Sequence, residues 1–187
     1  MQHRPTRLDG SQPTDRGKVV LVNKDDNPIG EAEKIEAHRQ GLLHRAFSVF
    51  IFNERRQMLL QQRASDKYHG AGLWTNACCS HPQLHEDIRE SASERLSYEM
   101  GLSCSIKKLF SFIYHAPVEN GLIEHEYDHV FYGFTSSRPV PNPNEVQDYK
   151  WMETDMIATD IRDNPANYTY WFRSAFHRVV AYVEQGG

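Results

Sequence analysis

Three groups of residues in this 187-residue chain are of types that do chemistry. The first lies in Trp74-Thr75-Asn76-Ala77-Cys78-Cys79-Ser80-His81-Pro82, where Cys79 and His81 are two residues apart. In an extended segment such residues project to one side, so a thiol and an imidazole would address one space. The plainer reading is a small buried thiol and a histidine that caps a turn. The second group is Glu124-His125-Glu126, two carboxylates on the same side of an expected strand. On a solvated face their repulsion is mild. In a buried one, a bound cation is the simplest neutralisation. Histidines are natural co-ligands, and two of the ten, His38 and His44, flank Arg-Gln-Gly-Leu-Leu just before a strand. Imidazole mixed with carboxylate suits Zn, Mn, Fe or Co. The third group is cationic: Lys34, Arg63, Lys67 and Arg95. Arg95 precedes Glu99 by one helical turn. An intrahelical ion pair explains that spacing, and so does a site in which Glu99 holds Mg²⁺ while Arg95 meets the same diphosphate.

The elements that must position these groups follow from pattern. Residues 18–23 are a short apolar run ending in turn formers, a strand and a turn. Residues 44–52 and 58–62 are two β-prone runs joined by Asn53-Glu54-Arg55-Arg56-Gln57, which predicts a hairpin with a longer loop. Residues 66–73 read as a loop carrying Lys67, and residues 74–79 as one short extended segment. Ile88, Ala92, Leu96 and Met100 recur at helical spacing before Gly101, predicting a helix over 87–100. Residues 109–115, 124–134 and 146–152 read as strands. Thr154 or Asp155 is placed to cap a short helix, and 168–183 has the pattern of a terminal helix. The order predicts an α+β or α/β arrangement, a mixed sheet flanked by helices.

Composition sets the outer bounds. At 39% hydrophobic and 25% charged residues, with a formal charge of −4, the chain is an ordinary globular one rather than a general binder of nucleic acid or acidic membrane. Its length suits one domain, 18–187, preceded by a mobile tail, 1–17. No apolar run is long enough to span a membrane, and three cysteines, two adjacent, argue for free thiols in a reducing cytoplasm.

Together these pieces resemble the type I isopentenyl-diphosphate isomerases, a branch of the Nudix superfamily. The likeness runs through Glu36-Ala37-His38, Leu43-His44-Arg45-Ala46-Phe47-Ser48, Leu73-Trp74-Thr75-Asn76, Cys78-Cys79-Ser80-His81-Pro82, Tyr98-Glu99-Met100-Gly101 and Glu124-His125-Glu126. The superfamily box can be laid from Ser80 to Leu102. Glu86, Leu96, Glu99, Gly101 and Leu102 fall on its pattern, whereas Ser80, Glu94, Arg95 and Tyr98 stand where Gly, Arg, Glu and Glu are expected. Two metal-binding carboxylates are thereby lost, which disfavours a Nudix hydrolase, the second reading, because cleaving a diphosphate needs clustered cations. A non-catalytic metal-binding or interaction domain is the third reading. Ala71 replaces an expected Pro in the loop before Leu73-Trp74.

The resemblance implies an α/β/α Nudix-like fold and an enzyme that isomerises isopentenyl diphosphate to dimethylallyl diphosphate for isoprenoid biosynthesis. It implies that His38, His44, His81, Glu124 and Glu126 ligate one divalent metal, Mn²⁺, Zn²⁺ or Mg²⁺, and that Glu99 with the substrate diphosphate binds Mg²⁺. Lys34, Arg63, Lys67 and Arg95 would bind the diphosphate. Cys79, Glu126, Tyr114 and Trp171 would be catalytic: proton transfer from Glu126, aided by Tyr114, at C4; proton removal by Cys79 at C2; and a stabilising indole for the carbocation between. The expected partner is that small-molecule substrate, with no nucleic acid, membrane or obligatory protein partner.

Overall fold

The computed structural model describes residues 16–185. Of the stretch 1–17, residues 1–15 lie outside the described residues. At its end Arg16 donates to the His81 carbonyl at 3.0 Å and to Glu86 at 3.2 Å. No described helix is long and apolar enough to cross a membrane.

The sheet is organised by β3 (His44–Phe52), almost continuously apolar because both of its faces are covered. One edge of β3 is taken along its whole length by β8 (Ile123–Phe134), parallel, from His44↔Glu126 to Phe52↔Phe134. The far edge of β8 pairs antiparallel with β7 (Ile106–Pro117). Three shorter partners share the other edge of β3. These are β1 (Lys18–Val22) at Leu21↔His44, β6 (Cys78–Ser80) at Phe47↔Ser80 through Val49↔Cys78, and β4 (Met58–Arg63) at Phe52↔Met58 alone.

The expected hairpin over 44–62 therefore turns but does not zip. After one pair β4 leaves β3 and forms a separate ladder with β5 (Trp74–Thr75) and β9 (Val146–Met152). The single extended segment expected over 74–79 is split by the same divergence. Its first part lies on β4, its second on β3, and buried Asn76 spans the gap, donating to the Val49 and Cys78 carbonyls at 3.1 and 2.6 Å. Those carbonyls lie where strand pairing breaks, and burial requires them to be satisfied.

Alternation along β3 assigns the two faces. Phe47, Val49 and Ile51 pack with Ala92, Leu96 and Met100 of α2 (Ile88–Met100), whereas Phe50 and Phe52 pack with Phe172, Ala175 and Phe176 of α4 (Tyr170–Glu184). Phe50 and Phe172 stack with ring centres 5.9 Å apart. Full burial of a side chain such as Phe172 is worth about 1.5–3 kcal/mol. Helix α2 begins at Asp87, whose carboxylate accepts from the Glu90 N–H at 3.0 Å, and ends at Gly101 with φ 63°.

Two elements escaped the sequence pattern. Strand β2 (Pro28–Glu33) is mostly exposed and is held by its ladder to β1 rather than by an apolar face. Helix α1 (Lys34–Gln40) has only seven residues and buries just Ala37 and His38. Neither leaves a periodic signal. In α3 (Thr154–Asp163) Thr154 is the first helical residue, and Glu153 stands at the cap without a side-chain cap bond. Asp155 instead lies in the first turn, where a negative charge suits the helix dipole.

Candidate active site

The face of β3 and β8 that packs on α4 turns polar towards the start of both strands. Phe52, Phe50, Ser48, Ala46 and His44 follow one another on β3, and Tyr132, Val130, Asp128, Glu126 and Glu124 on β8. Parallel pairing in register places His44 beside Glu126, and antiparallel pairing places Tyr114 directly opposite Glu126. Cys79 pairs with Ser48 and so lies on the same face. Helix α1 contributes His38, and His81 follows the end of β6.

The imidazoles are set for metal binding. His38 Nδ1 lies 2.6 Å from the Lys34 carbonyl and His44 Nδ1 2.8 Å from the Leu42 carbonyl. A carbonyl only accepts, so both Nδ1 atoms carry a proton, and each ring turns its Nε2 inward. His38 Nε2 is 3.2 Å from Glu124 Oε2, and His44 Nε2 is 3.6 Å from Glu126 Oε1. His81 Nε2 lies 2.8 Å from the same Glu126 oxygen. His38 Nε2, His44 Nε2 and Glu124 Oε2 are buried without any hydrogen-bond partner. Ligand atoms of His38, His44, His81 and Glu126 all lie within 4.8 Å of one another, as do those of His38, His69 and Glu124. Imidazoles and carboxylates gathered in one buried cluster, several of their atoms without a hydrogen-bond partner, form a donor set that fits a divalent metal.

Around it stand the groups that handle protons. Tyr114 donates its hydroxyl to Glu126 Oε2 at 2.6 Å, and burial, reinforced by the Glu126 charge, pushes its phenol pKa up, so it stays a donor. Burial likewise pushes the Cys79 thiol up to about 12, against the pull of the Arg63 guanidinium 3.9 Å away. Without substrate Cys79 is therefore a thiol. One step further along β8, Asp128 accepts from Ser48 at 2.8 Å, and burial followed by the Glu126 charge pushes its carboxyl pKa up.

Lys34, Arg63, Lys67 and Arg95 line one pocket with Cys79, Glu99, Glu124, Glu126 and Trp171. Arg95 donates to Glu99 at 2.7 Å, and Lys67 is ion-paired with Glu145. Arg63 lies 5.3 Å from the centre of the Trp171 ring and donates to the His69 and Gly70 carbonyls, tying the 66–73 loop to the pocket. Burial pushes the Lys34 ammonium pKa down, partly offset by Glu124. Trp171 opens α4 against the pocket with its Nε1 buried and unpartnered.

Every residue expected at the site is thus assembled around this pocket and the cluster at its wall. Three neighbours were not anticipated. His69 Nε2 lies 2.8 Å from Glu124 Oε1, Glu145 reaches Lys67 and Arg95, and Gln61 donates to Glu99 at 3.1 Å. His69 and Glu145 are single residues in connecting segments, without a repeat or spacing to mark them. The one available signal for His69 was its place two residues after Lys67.

A family model described as "NUDIX domain" matches residues 42–172. An isopentenyl-diphosphate Delta-isomerase 2 of Aromatoleum aromaticum is 46% identical over 164 residues, covering 88% of this chain and 87% of that protein. An isopentenyl-diphosphate Delta-isomerase 2 of Photorhabdus laumondii is 52% identical over 155 residues, covering 83% and 88%. Among solved structures, DR0079 from Deinococcus radiodurans superposes with a TM-score of 0.66 at 19% identity, covering 79% of this chain and 90% of that one, a likeness of fold alone.

Proposed function

The chain belongs to the NUDIX domain family and, within it, to the isopentenyl-diphosphate Delta-isomerases, and from that premise we propose how it interconverts isopentenyl diphosphate and dimethylallyl diphosphate. The observation that carries the reading is one pocket lined both by cations, Lys34, Arg63, Lys67 and Arg95, and by proton-handling groups, Cys79 and Glu126, the latter hydrogen-bonded to Tyr114. The first suits a diphosphate, and the second suits an alkene that must gain a proton at one carbon and lose one at another.

In the forward direction Glu126, oriented by Tyr114, delivers a proton to C4, and Cys79 as thiolate removes one from C2. The electron pair of that C–H bond becomes the new C2=C3 double bond. A tertiary carbocation lies between the two transfers, and the indole face of Trp171 stabilises it by about 2 kcal/mol or more once desolvated. The ligands His38, His44, His81, Glu124 and Glu126 would hold a divalent cation, whose charge would polarise Glu126 and neutralise the paired carboxylates. Glu99 would be the carboxylate that helps to hold the Mg²⁺ accompanying the substrate diphosphate.

Burial favours the thiol form of Cys79 in the free site. That state serves the reverse reaction, in which Cys79 gives a proton to C2 and Glu126 takes one from C4. Each forward turnover regenerates it, so a proton must pass from Cys79 back to Glu126 before the next.

The test is proton and phosphorus NMR of the purified protein with isopentenyl diphosphate and Mg²⁺ in D₂O. The expected result is conversion to the dimethylallyl isomer with deuterium entering at C4 and C2 and the diphosphate intact. Release of phosphate or pyrophosphate would mean a hydrolase. No change in a folded, metal-loaded sample would mean a binding role.

A further inference from the structure

We propose that Glu145 is a resident counter-anion in the diphosphate cradle, and that it makes the pocket take a diphosphate together with a divalent cation rather than alone. The inference rests on the reading that Lys34, Arg63, Lys67 and Arg95 bind the substrate's diphosphate.

Two of those four cations are already paired. Glu145 Oε2 holds the Lys67 ammonium, Glu145 Oε1 lies 3.4 Å from Arg95 Nη2, and the same Arg95 nitrogen donates to Glu99 Oε1 at 2.7 Å. Lys67, Glu145, Arg95 and Glu99 thus form a chain of alternating charge without net charge. Each side chain is mostly buried, with exposures of 24, 16, 11 and 6% respectively, so these pairs are screened less than surface ones. Three elements fix them. Lys67 sits in the loop after β4, Arg95 and Glu99 lie one turn apart on α2, and the Glu145 carbonyl accepts from the Ala64 N–H at 3.0 Å just before β9.

A diphosphate entering alone draws Lys67 and Arg95 away and leaves two carboxylates beside a new anion, all of one sign in a poorly solvated pocket. A divalent cation entering with it removes that conflict, because Glu99 and Glu145 are then free to turn to the cation. An independent feature points to the same ligand. Gln61, 2% exposed at the wall of this pocket, donates from Nε2 to Glu99 and leaves its Oε1 buried without a partner. A buried acceptor oxygen on the residue that holds Glu99 lacks a donor, and a hard cation that takes oxygen ligands supplies what it lacks. Cation and diphosphate then each raise the other's affinity, as linkage requires.

The test titrates inorganic pyrophosphate calorimetrically into enzyme carrying its histidine-site metal, with and without added Mg²⁺. It compares the wild type with Glu145→Gln and Glu145→Asp. In the wild type Mg²⁺ should tighten pyrophosphate binding by about tenfold or more, within the usual range of such couplings. In Glu145→Gln, metal-free binding should tighten and the Mg²⁺ effect shrink to about threefold or less. Glu145→Asp, which keeps the charge, should retain the dependence. A second readout, electron paramagnetic resonance of Mn²⁺ with pyrophosphate present, should show weaker binding of the added ion in Glu145→Gln. A Glu145→Gln protein with the wild-type Mg²⁺ dependence overturns the proposal and leaves the diphosphate cradle standing. A wild-type protein that binds pyrophosphate in neither condition overturns both.

Discussion

Tyr114 and Glu126 are directly opposite one another in the ladder between β7 and β8, and the Tyr114 hydroxyl donates to Glu126 Oε2 at 2.6 Å. The pairing register itself supplies the proton-handling carboxylate with its partner. The other carboxylate oxygen, Oε1, faces His44 and His81, so the two ends of Glu126 have separate tasks. Tyr114→Phe removes only the donor. It should lower kcat by roughly 10- to 100-fold with little change in KM. Steady-state kinetics checks this, and an unchanged kcat would place Tyr114 among the packing residues.

Removing the metal should cost stability as well as activity. Without a cation, the Glu124 and Glu126 carboxylates stay buried in one cluster in which the His38 and His44 Nε2 atoms lack a hydrogen-bond partner. Dialysis against a chelator should lower Tm by about 5–10 °C, the shift expected when a ligand held well above its Kd is lost from a domain of this size. Calorimetry before and after re-addition of Mn²⁺, Zn²⁺ or Mg²⁺ measures it, and the ion that restores most of the shift is the one the site prefers.

Cys79 touches the pocket while its neighbour Cys78 is buried in the core under α2. Cys79→Ala should reduce kcat by roughly 10²- to 10⁴-fold, the usual worth of a positioned proton donor or acceptor, and leave substrate affinity largely intact. Cys78→Ala should instead lower Tm and leave kcat close to wild type. An active Cys79→Ala enzyme would remove the thiol from the mechanism.

Trp171 lies at the start of α4 with its ring beside Arg63 and His69. Trp171→Leu keeps an apolar side chain but loses the π face. Loss of about 2 kcal/mol of cation stabilisation corresponds to a fall in kcat of roughly 30-fold, with Trp171→Phe in between. Equal effects of Phe and Leu would show that the residue acts by filling space.

Gly101 ends α2 at φ 63°, and a Cβ there would sit 2.7 Å from the Val140 carbonyl oxygen. Gly101→Ala should destabilise the fold by at least about 1–2 kcal/mol, the cost of a left-handed conformation before any clash is counted. Thermal unfolding checks it, and a Tm equal to that of the wild type would mean that the 140 segment moves aside freely.

The periodicity of the sequence by itself determined that Glu124 and Glu126 share one side of a strand, and left open whether that side is solvated or buried. The two-residue spacing of Glu124 and Glu126 was legible because a strand alternates its side chains whatever its neighbours are, whereas His81 follows the end of β6. The helix from Asp87 to Gly101 was legible for a similar local reason, an apolar stripe closed by a cap and a glycine. The likeness to a known family added the roles, which spacing alone left open. Only the tertiary structure decided who stands beside whom. The parallel pairing of β3 with β8 brings His44 to Glu126 across nearly half of the described chain, because β3 must bury both faces and accepts β8 along its full length. The same demand opens the hairpin after Phe52↔Met58 and divides the segment from Trp74 to Ser80 between two ladders. His69, Gln61 and Glu145 join the site through loops and strand ends, where neither spacing nor hydrophobic pattern constrains a residue's neighbours. Their partners follow from the packing of the whole domain.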